Sequence, residues 1–460
     1  MVAISNLSRF SRRRFLSNSA LTVGTLAGAG ALLDACDTST ASTTATGGGG
    51  GKTTLTIMGN AGEITLAYIK EFEKLNPTIK VNFLTFDQTR LNAMFAASSP
   101  PDIIRGMGFD SPYNSARGLA LSLDPYLEKS TVLKKEDLVS IQDMWRWDGK
   151  QVGQGPYYGL AKDWSLDGTL WCNTALFKKA GLATISTTDP ITYDQLLAIS
   201  KKLAVKQGGK IQAYGVDITW PNGDLGTANL YQMIAQQNGR VFSDDLTQAD
   251  FTTPAALKSL QYYVDYAQAH IGPTPLDPDP NGWDGPTFQA GRMGIAQDGY
   301  WFGGEIGAGT KDLQANALLA PTPLMGSKRI SSCYAGTGIW IAANSKNKDA
   351  AWKFMEYFIA GPPAQDRAKG GWGISSLKSL VSQMPQDLPY QKQAYQTMQK
   401  ELQYFVPLTV SPYATSTGIG TILDKYLQQA AKNQLTVSAA AQQITSDVNK
   451  LLQQGKQAIS

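Results

Sequence analysis

The 460-residue sequence predicts an α/β protein of two lobes, each built on a sheet flanked by helices. Two observations carry this. From Thr53 to Gly108, strand-like and helix-like segments alternate at short intervals, the mark of parallel strands joined by crossover helices. The chain beyond its first fifty residues is also too long for one ordinary core, at about 400 residues. Its 42% apolar content suffices for two.

The elements follow in order. "TLTIMG" alternates as a strand, and "EITLAYIKEFEKLNPTIK" has apolar residues at helical spacing until Asn76-Pro77. "VNFLTF" is a second strand. "DQTRLNAMFAASSPP" is a helix for which Asp87 is a plausible N-cap, and "DIIRGMG" is a third strand. Ligands of such sheets sit beyond the carboxyl ends of the strands. Three loops meet that description: 59–63, 85–87 and 106–110. "YYGLAKDWSLDGTLWCNTALFKKAGL" then crosses to new territory, where the alternation resumes. "TYDQLLAISKKLAVKQGG" reads as a helix stopped by glycine, "AYGVDI" as a strand, and "PAALKSLQYYVDYAQAH" as a helix. "GRMGIAQDGYWF" is a strand with Asp298 and Trp301 at its end. "GTGIWIAANS" is another strand, and "KDAAWKFMEYFIAG" a helix.

The first 52 residues read differently. "SRRRFLSNSALTVGTLAGAGALLDAC" has a basic head and a short, glycine-rich apolar stretch, which marks an export signal and not a membrane span. "SRRRFL" matches the twin-arginine type. Residues 1–35 are therefore a signal, and "LLDAC" resembles a bacterial lipobox, with Cys36 receiving lipid. Asp34 departs from that pattern, so the alternative is a cleaved, unanchored protein. Residues 36–52 form a Ser/Thr/Gly tether. The run "TATGGGGGKTT" is not a phosphate loop, because the required first glycine falls on Thr46 and a strand, not a helix, follows. Without the signal the formal charge of +4 falls to about +1, which leaves no basic footprint for nucleic acid.

Cysteine and histidine counts exclude other chemistry. Cys172 and Cys333 have no metal-ligand spacing, and their pairing is left open. His270 alone would have to carry any Ser-His-Asp or Cys-His mechanism. Its place just before Gly272-Pro273 suits a helix C-terminus instead. No metal or cofactor is expected.

The ordered segments "PPDII", "YYGLAKDWSLDGTLWCNTALFKKAGL", "YGVDI", "FQAGRMGIAQDGYW", "GTGIWIAANSKNKDAAWKFMEYF" and "GGWGISSLKSL" resemble the family 1 extracellular solute-binding proteins, the sugar-capturing components of ABC importers. The resemblance spans about Leu55 to Leu380. It implies a two-lobe, periplasmic-binding-protein-like fold, with hinge strands crossing near Asp163, Phe302 and Ala343 and solute held between the lobes. The N-terminal lobe would be 53–165 with 303–343, and the C-terminal lobe 166–302 with 344–460. It also implies no catalysis, a monomer on the outer face of the cytoplasmic membrane, and an ABC permease as partner.

A sugar needs hydrogen-bonding groups for its hydroxyls and aromatic rings for its C–H faces. The resemblance puts the segments of Trp301 and Trp372 at the cleft, along with Asn60 and Glu63 after the first strand. Asn173 matches a family asparagine near the hinge, beside Cys172 where the family usually has Tyr. Asp110 and Asp298 end strands. Asp87, Trp220 and Trp283 complete the expected site, while Trp340 and Trp352 are expected to pack in cores. Two other readings stay open: a secreted glycosidase, which needs two carboxylates facing across a cleft, and a surface lipoprotein with no transport partner.

Overall fold

The structure, a computed structural model, describes residues 52–208 and 210–459. The expected signal, Cys36 and all but the end of the tether lie outside the described residues.

The first sheet has the order Ile79–Thr85, Thr53–Gly59, Ile103–Met107, Thr337–Ile341, Leu160–Ala161. Its first three strands are parallel, and Thr337–Ile341 runs antiparallel to Ile103–Met107. Helix Leu66–Leu75 starts where Thr65 caps the Tyr68 amide, and it lays Ile69 and Phe72 on the sheet. There they join Leu55, Ile57, Ile339, Phe354 and Phe358 in one buried cluster. Phe72 meets Phe354 edge-on at 5.0 Å.

The second sheet has the order Ala317–Ala320, Leu170–Asn173, Met293–Ala296, Lys210–Asp217, Val205–Gln207. Lys210–Asp217 and Met293–Ala296 are parallel, with Asp217 opposite Ala296. The second apolar cluster continues between the lobes, joining Met58, Ile104 and Trp145 to Tyr231, Phe288 and Leu427. Among the described residues no helix is long and apolar enough to cross a membrane.

Several placements differ from the sequence-based segmentation. Ala317–Ala320 pairs along its whole length with Leu170–Asn173, so this part of 303–343 sits in the second sheet. Helix Lys348–Ala360 turns Phe354 and Phe358 onto the first sheet, so this part of 344–460 packs with the first lobe. The chain therefore crosses between sheets at 162–169 and 321–336, not near Phe302. It leaves the first lobe at 371–388, not near Ala343, where Ile374–Ser375 pairs with Asp163–Trp164. The helix expected to run to the glycines at 208–209 ends at Leu203, because Val205–Gln207 pairs back on Lys210–Asp217. His270 does cap a helix end, in the left-handed region at φ +51°, with Asp277 on its Nδ1.

Candidate functional site

The carboxyl ends of two parallel strands in the second sheet bring the aromatic and acidic residues together. Asp217 ends one strand, and Asp298 lies two residues past the other. The turn Asp298–Trp301 depends on Gly299, whose φ is +71°. A Cβ there would stand 2.4 Å from Ser165 Oγ and 2.8 Å from Asp167 Cα, so no other residue fits unstrained. The Trp171 indole donates to the Gly299 carbonyl at 2.7 Å and fixes the turn. Trp301 then stacks on Trp283, with ring centroids 6.4 Å apart and planes 17° apart. Trp283 is 42% exposed.

Asp298 is buried, and burial pushes its carboxyl up to about 6, against a hydrogen bond with Asp284 that lowers it. Asp284, at the start of the neighbouring helix, is held well above the ordinary carboxyl range by burial and by Asp298. The adjoining Thr219 is strained for a β-branched residue, at φ +53°, and its amide donates to Asp217 Oδ1 at 2.7 Å.

The first lobe supplies a charged belt. Burial would raise the Glu63 carboxyl, but Lys162 and Arg105 together bring it below its ordinary value. Arg105 donates to it at 3.1 Å, and Lys162 stands 4.0 Å away. Lys162 also meets Asp163 at 2.5 Å, and Arg367 approaches Asp163 at 3.9 Å. This belt runs through the Asp163–Trp164 crossover, where Lys162, Asp163, Arg367 and Trp372 line a pocket with room for about one water. The Trp372 ring lies on helix Gly303–Ala308: a Cβ on Gly304 would meet it at 2.4 Å. Trp372 is 38% exposed.

The remaining expected residues each have a partner within the protein. Asp87 caps helix Gln88–Ala96 through the Arg90 amide. Asn173 is buried and caps helix Thr174–Lys179. Trp220 is buried against Tyr263, and its indole donates to Asp424 at 2.8 Å. Asn60 is exposed at the first strand's end, with its Oδ1 taken by the Gly62 amide. Asp110 accepts from the Ser416 amide and hydroxyl. Burial raises its carboxyl to about 6, with those bonds opposing.

Sequence reasoning missed Arg105, Lys162, Arg367 and Asp284. Arg105 had a usable signal, since it lies in a strand whose carboxyl end was expected at the site. Arg367, in "QDRAKGG", reads as ordinary surface charge. Among the described residues no group of three His, Cys, Asp or Glu is placed to hold a metal.

Two sheet-based lobes joined by short crossovers, with polar and aromatic groups gathered at their strand ends, define a protein built to hold a small molecule between lobes. Residues 58–365 match the model of the bacterial extracellular solute-binding proteins, and the chain belongs to that family. It is 30% identical over 183 residues to the maltotriose-binding protein of Pyrococcus abyssi, a match spanning 39% of this chain and 37% of that relative's length. Its fold resembles a Listeria monocytogenes ABC substrate-binding protein in complex with cycloalternan, with a TM-score of 0.71, 22% identity, and coverage of 87% of this chain and 98% of the other. An Agrobacterium vitis ABC transporter solute-binding protein with bound D-mannitol matches with a TM-score of 0.67 and 22% identity, covering 86% and 97%.

Proposed function

We infer that the protein captures a sugar or oligosaccharide between its lobes and presents it to the permease of an ABC importer. The observation that carries this is the Trp283–Trp301 stack, with Trp283 42% exposed, on the same two segments as the interacting Asp284 and Asp298 carboxyls. Rings take up the C–H faces of a sugar ring, and carboxyls accept from its hydroxyls. The similarity to the maltotriose-binding protein supports a carbohydrate cargo.

Solute touching both lobes favours the closed arrangement, and that arrangement docks on the permease. The protein does no chemistry itself. Export follows the twin-arginine signal, Cys36 carries the lipid anchor, and the protein acts as a monomer at the outer face of the cytoplasmic membrane. Glu63, Asn60, Trp301 and Trp372 are the first residues to test as solute contacts.

Isothermal titration of the purified protein against mono-, di- and oligosaccharides and polyols tests the reading, with recovery of the ligand afterwards. Saturable binding with intact ligand recovered supports it. Cleaved ligand would make the protein a glycosidase.

A further inference from the structure

The charges at the Asp163–Trp164 crossover do not balance. Arg105 donates to Glu63, and Lys162 reaches both Glu63 and Asp163. Arg367 stands 3.9 Å from Asp163 through its Nε, an ion pair without a hydrogen bond. Within ion-pairing reach, three cations thus share two carboxylates. Asp366, on the same helix as Arg367, is exposed and takes the Tyr68 hydroxyl at 3.2 Å, so water screens its charge.

Arg367 is only 8% exposed. Its Nη2 donates to the Phe358 carbonyl at 2.8 Å, but its Nε and Nη1 have no hydrogen-bond partner. The residue lines the crossover pocket beside Lys162 and Trp372, where there is room for about one water. Asp163, the only acid lining that pocket, is already held by Lys162 at 2.5 Å. Trp372 links the pocket to the aromatic wall, since its ring lies on Gly304, just beyond Trp301.

A buried guanidinium with unpaired N–H groups is costly. A water or a neutral sugar hydroxyl would accept from one of them but leave the surplus charge. A carboxylate oxygen fits the space, accepts from these donors and brings the missing charge, and arginine–carboxylate bonds are among the strong ones.

We propose that the solute is an acidic carbohydrate, a hexuronic acid or an oligosaccharide of one. One oxygen of its carboxylate enters the pocket and accepts from Arg367, with the same sugar unit against Trp372. This rests on the carbohydrate reading above and names its class.

Isothermal titration of the purified protein at pH 7 tests this with glucuronic acid, galacturonic acid and α-1,4 galacturonic di- to tetramers. The comparators are the methyl esters of these acids, neutral sugars of equal length, and acetate and sulfate alone. The free acids are expected to bind about tenfold tighter than their esters, which have the same shape without the charge. That ratio falls towards one in Arg367→Gln. It does so too in Ala368→Val, which keeps every charge but adds two methyl groups beside the pocket, and which serves should Arg367→Gln fail to fold. Acids binding no tighter than esters, or a preference unchanged in the folded variants, would overturn the carboxylate assignment and leave carbohydrate capture standing. Acetate or sulfate binding as tightly as the acidic sugars would make the pocket a site for free anions and overturn it likewise. Binding of no carbohydrate at all would overturn both readings.

Discussion

The Asp110 carboxylate accepts from the Ser416 amide at 2.8 Å and from its hydroxyl at 2.9 Å, across 306 positions of chain. Asp110 follows the third strand of the first sheet, and Ser416 opens a helix that packs on the second lobe's Asp224–Ala235 helix. Phe109 against Tyr231, and Arg117 on the Pro412 carbonyl at 2.8 Å, reinforce the junction. A residue expected to hold solute thus holds the lobes together.

Asp110→Ala removes two hydrogen bonds between the lobes, beside the Thr415 N-cap of that helix, a contact worth about 0.5–2 kcal/mol. The solute-free variant is expected to show a larger radius of gyration by small-angle scattering. Its solute affinity falls about 2- to 30-fold, because fewer molecules start closed. Unchanged size and affinity would mean the contact does not bias closure.

Trp301→Ala and Trp283→Ala are each expected to weaken solute binding by about 1–3 kcal/mol, read by titration calorimetry. Trp352, buried beside the Tyr126 ring, gives the contrast. Trp352→Ala costs about 3–5 kcal/mol of stability in denaturant melts, with the affinity of the folded fraction unchanged.

Unfolding should depend on pH through the buried carboxyls. Burial raises Asp110 and Asp298 to about 6 and Asp167 to about 7, from an ordinary 3.8. Between those values the folded chain holds more protons than the unfolded one. Their contribution is therefore fully present below about pH 4 and is lost as pH rises to about 7, each group losing about 1.4 kcal/mol for every pH step of one across that window. Glu63, lowered by Lys162 and Arg105, acts oppositely and loses its contribution at acid pH. Urea midpoints are expected to fall from pH 4.5 to 7, and less steeply in Asp110→Asn. A rise over that range would contradict the assignment.

Arg367→Ala leaves Asp163 buried with one cation fewer and is expected to destabilise by about 3–5 kcal/mol. Arg367→Met, which fills the same space over Phe358, should cost about as much if charge, and not packing, is the cause. Full rescue by methionine would assign the effect to packing.

Cys172 and Cys333 are both free and buried, and burial pushes both thiols up. Neither should react with a maleimide in the native protein, and both should react after denaturation without reductant. A native mass lacking both labels after denaturation would reveal a disulfide.

The strands at 53–59, 79–85 and 103–107 were legible because apolar alternation and cap residues are local signals. Asp87 was legible as a cap for the same reason. The roles of Trp220 and Asn173 were not. Trp220 is drawn into the second lobe by Asp424, 204 positions away, and Asn173 spends its side chain on its own helix. The charged belt was equally hidden: Glu63, Arg105, Lys162 and Arg367 come from four segments that meet only when the sheet forms. The lobe crossings were misplaced because Ala317–Ala320 chooses its sheet by pairing with Leu170–Asn173, which no local pattern records.

The most direct measurement is a thermal-shift screen of the purified protein against neutral sugars, acidic sugars, polyols, amino acids and nucleotides. A ligand at 100 times its dissociation constant stabilises by about 2.7 kcal/mol. A clear shift confined to carbohydrates, abolished in the Trp283→Ala, Trp301→Ala double variant, is the expected result. Stabilisation by another solute class alone, or by a sugar equally in the double variant, would contradict a carbohydrate site at the aromatic pair.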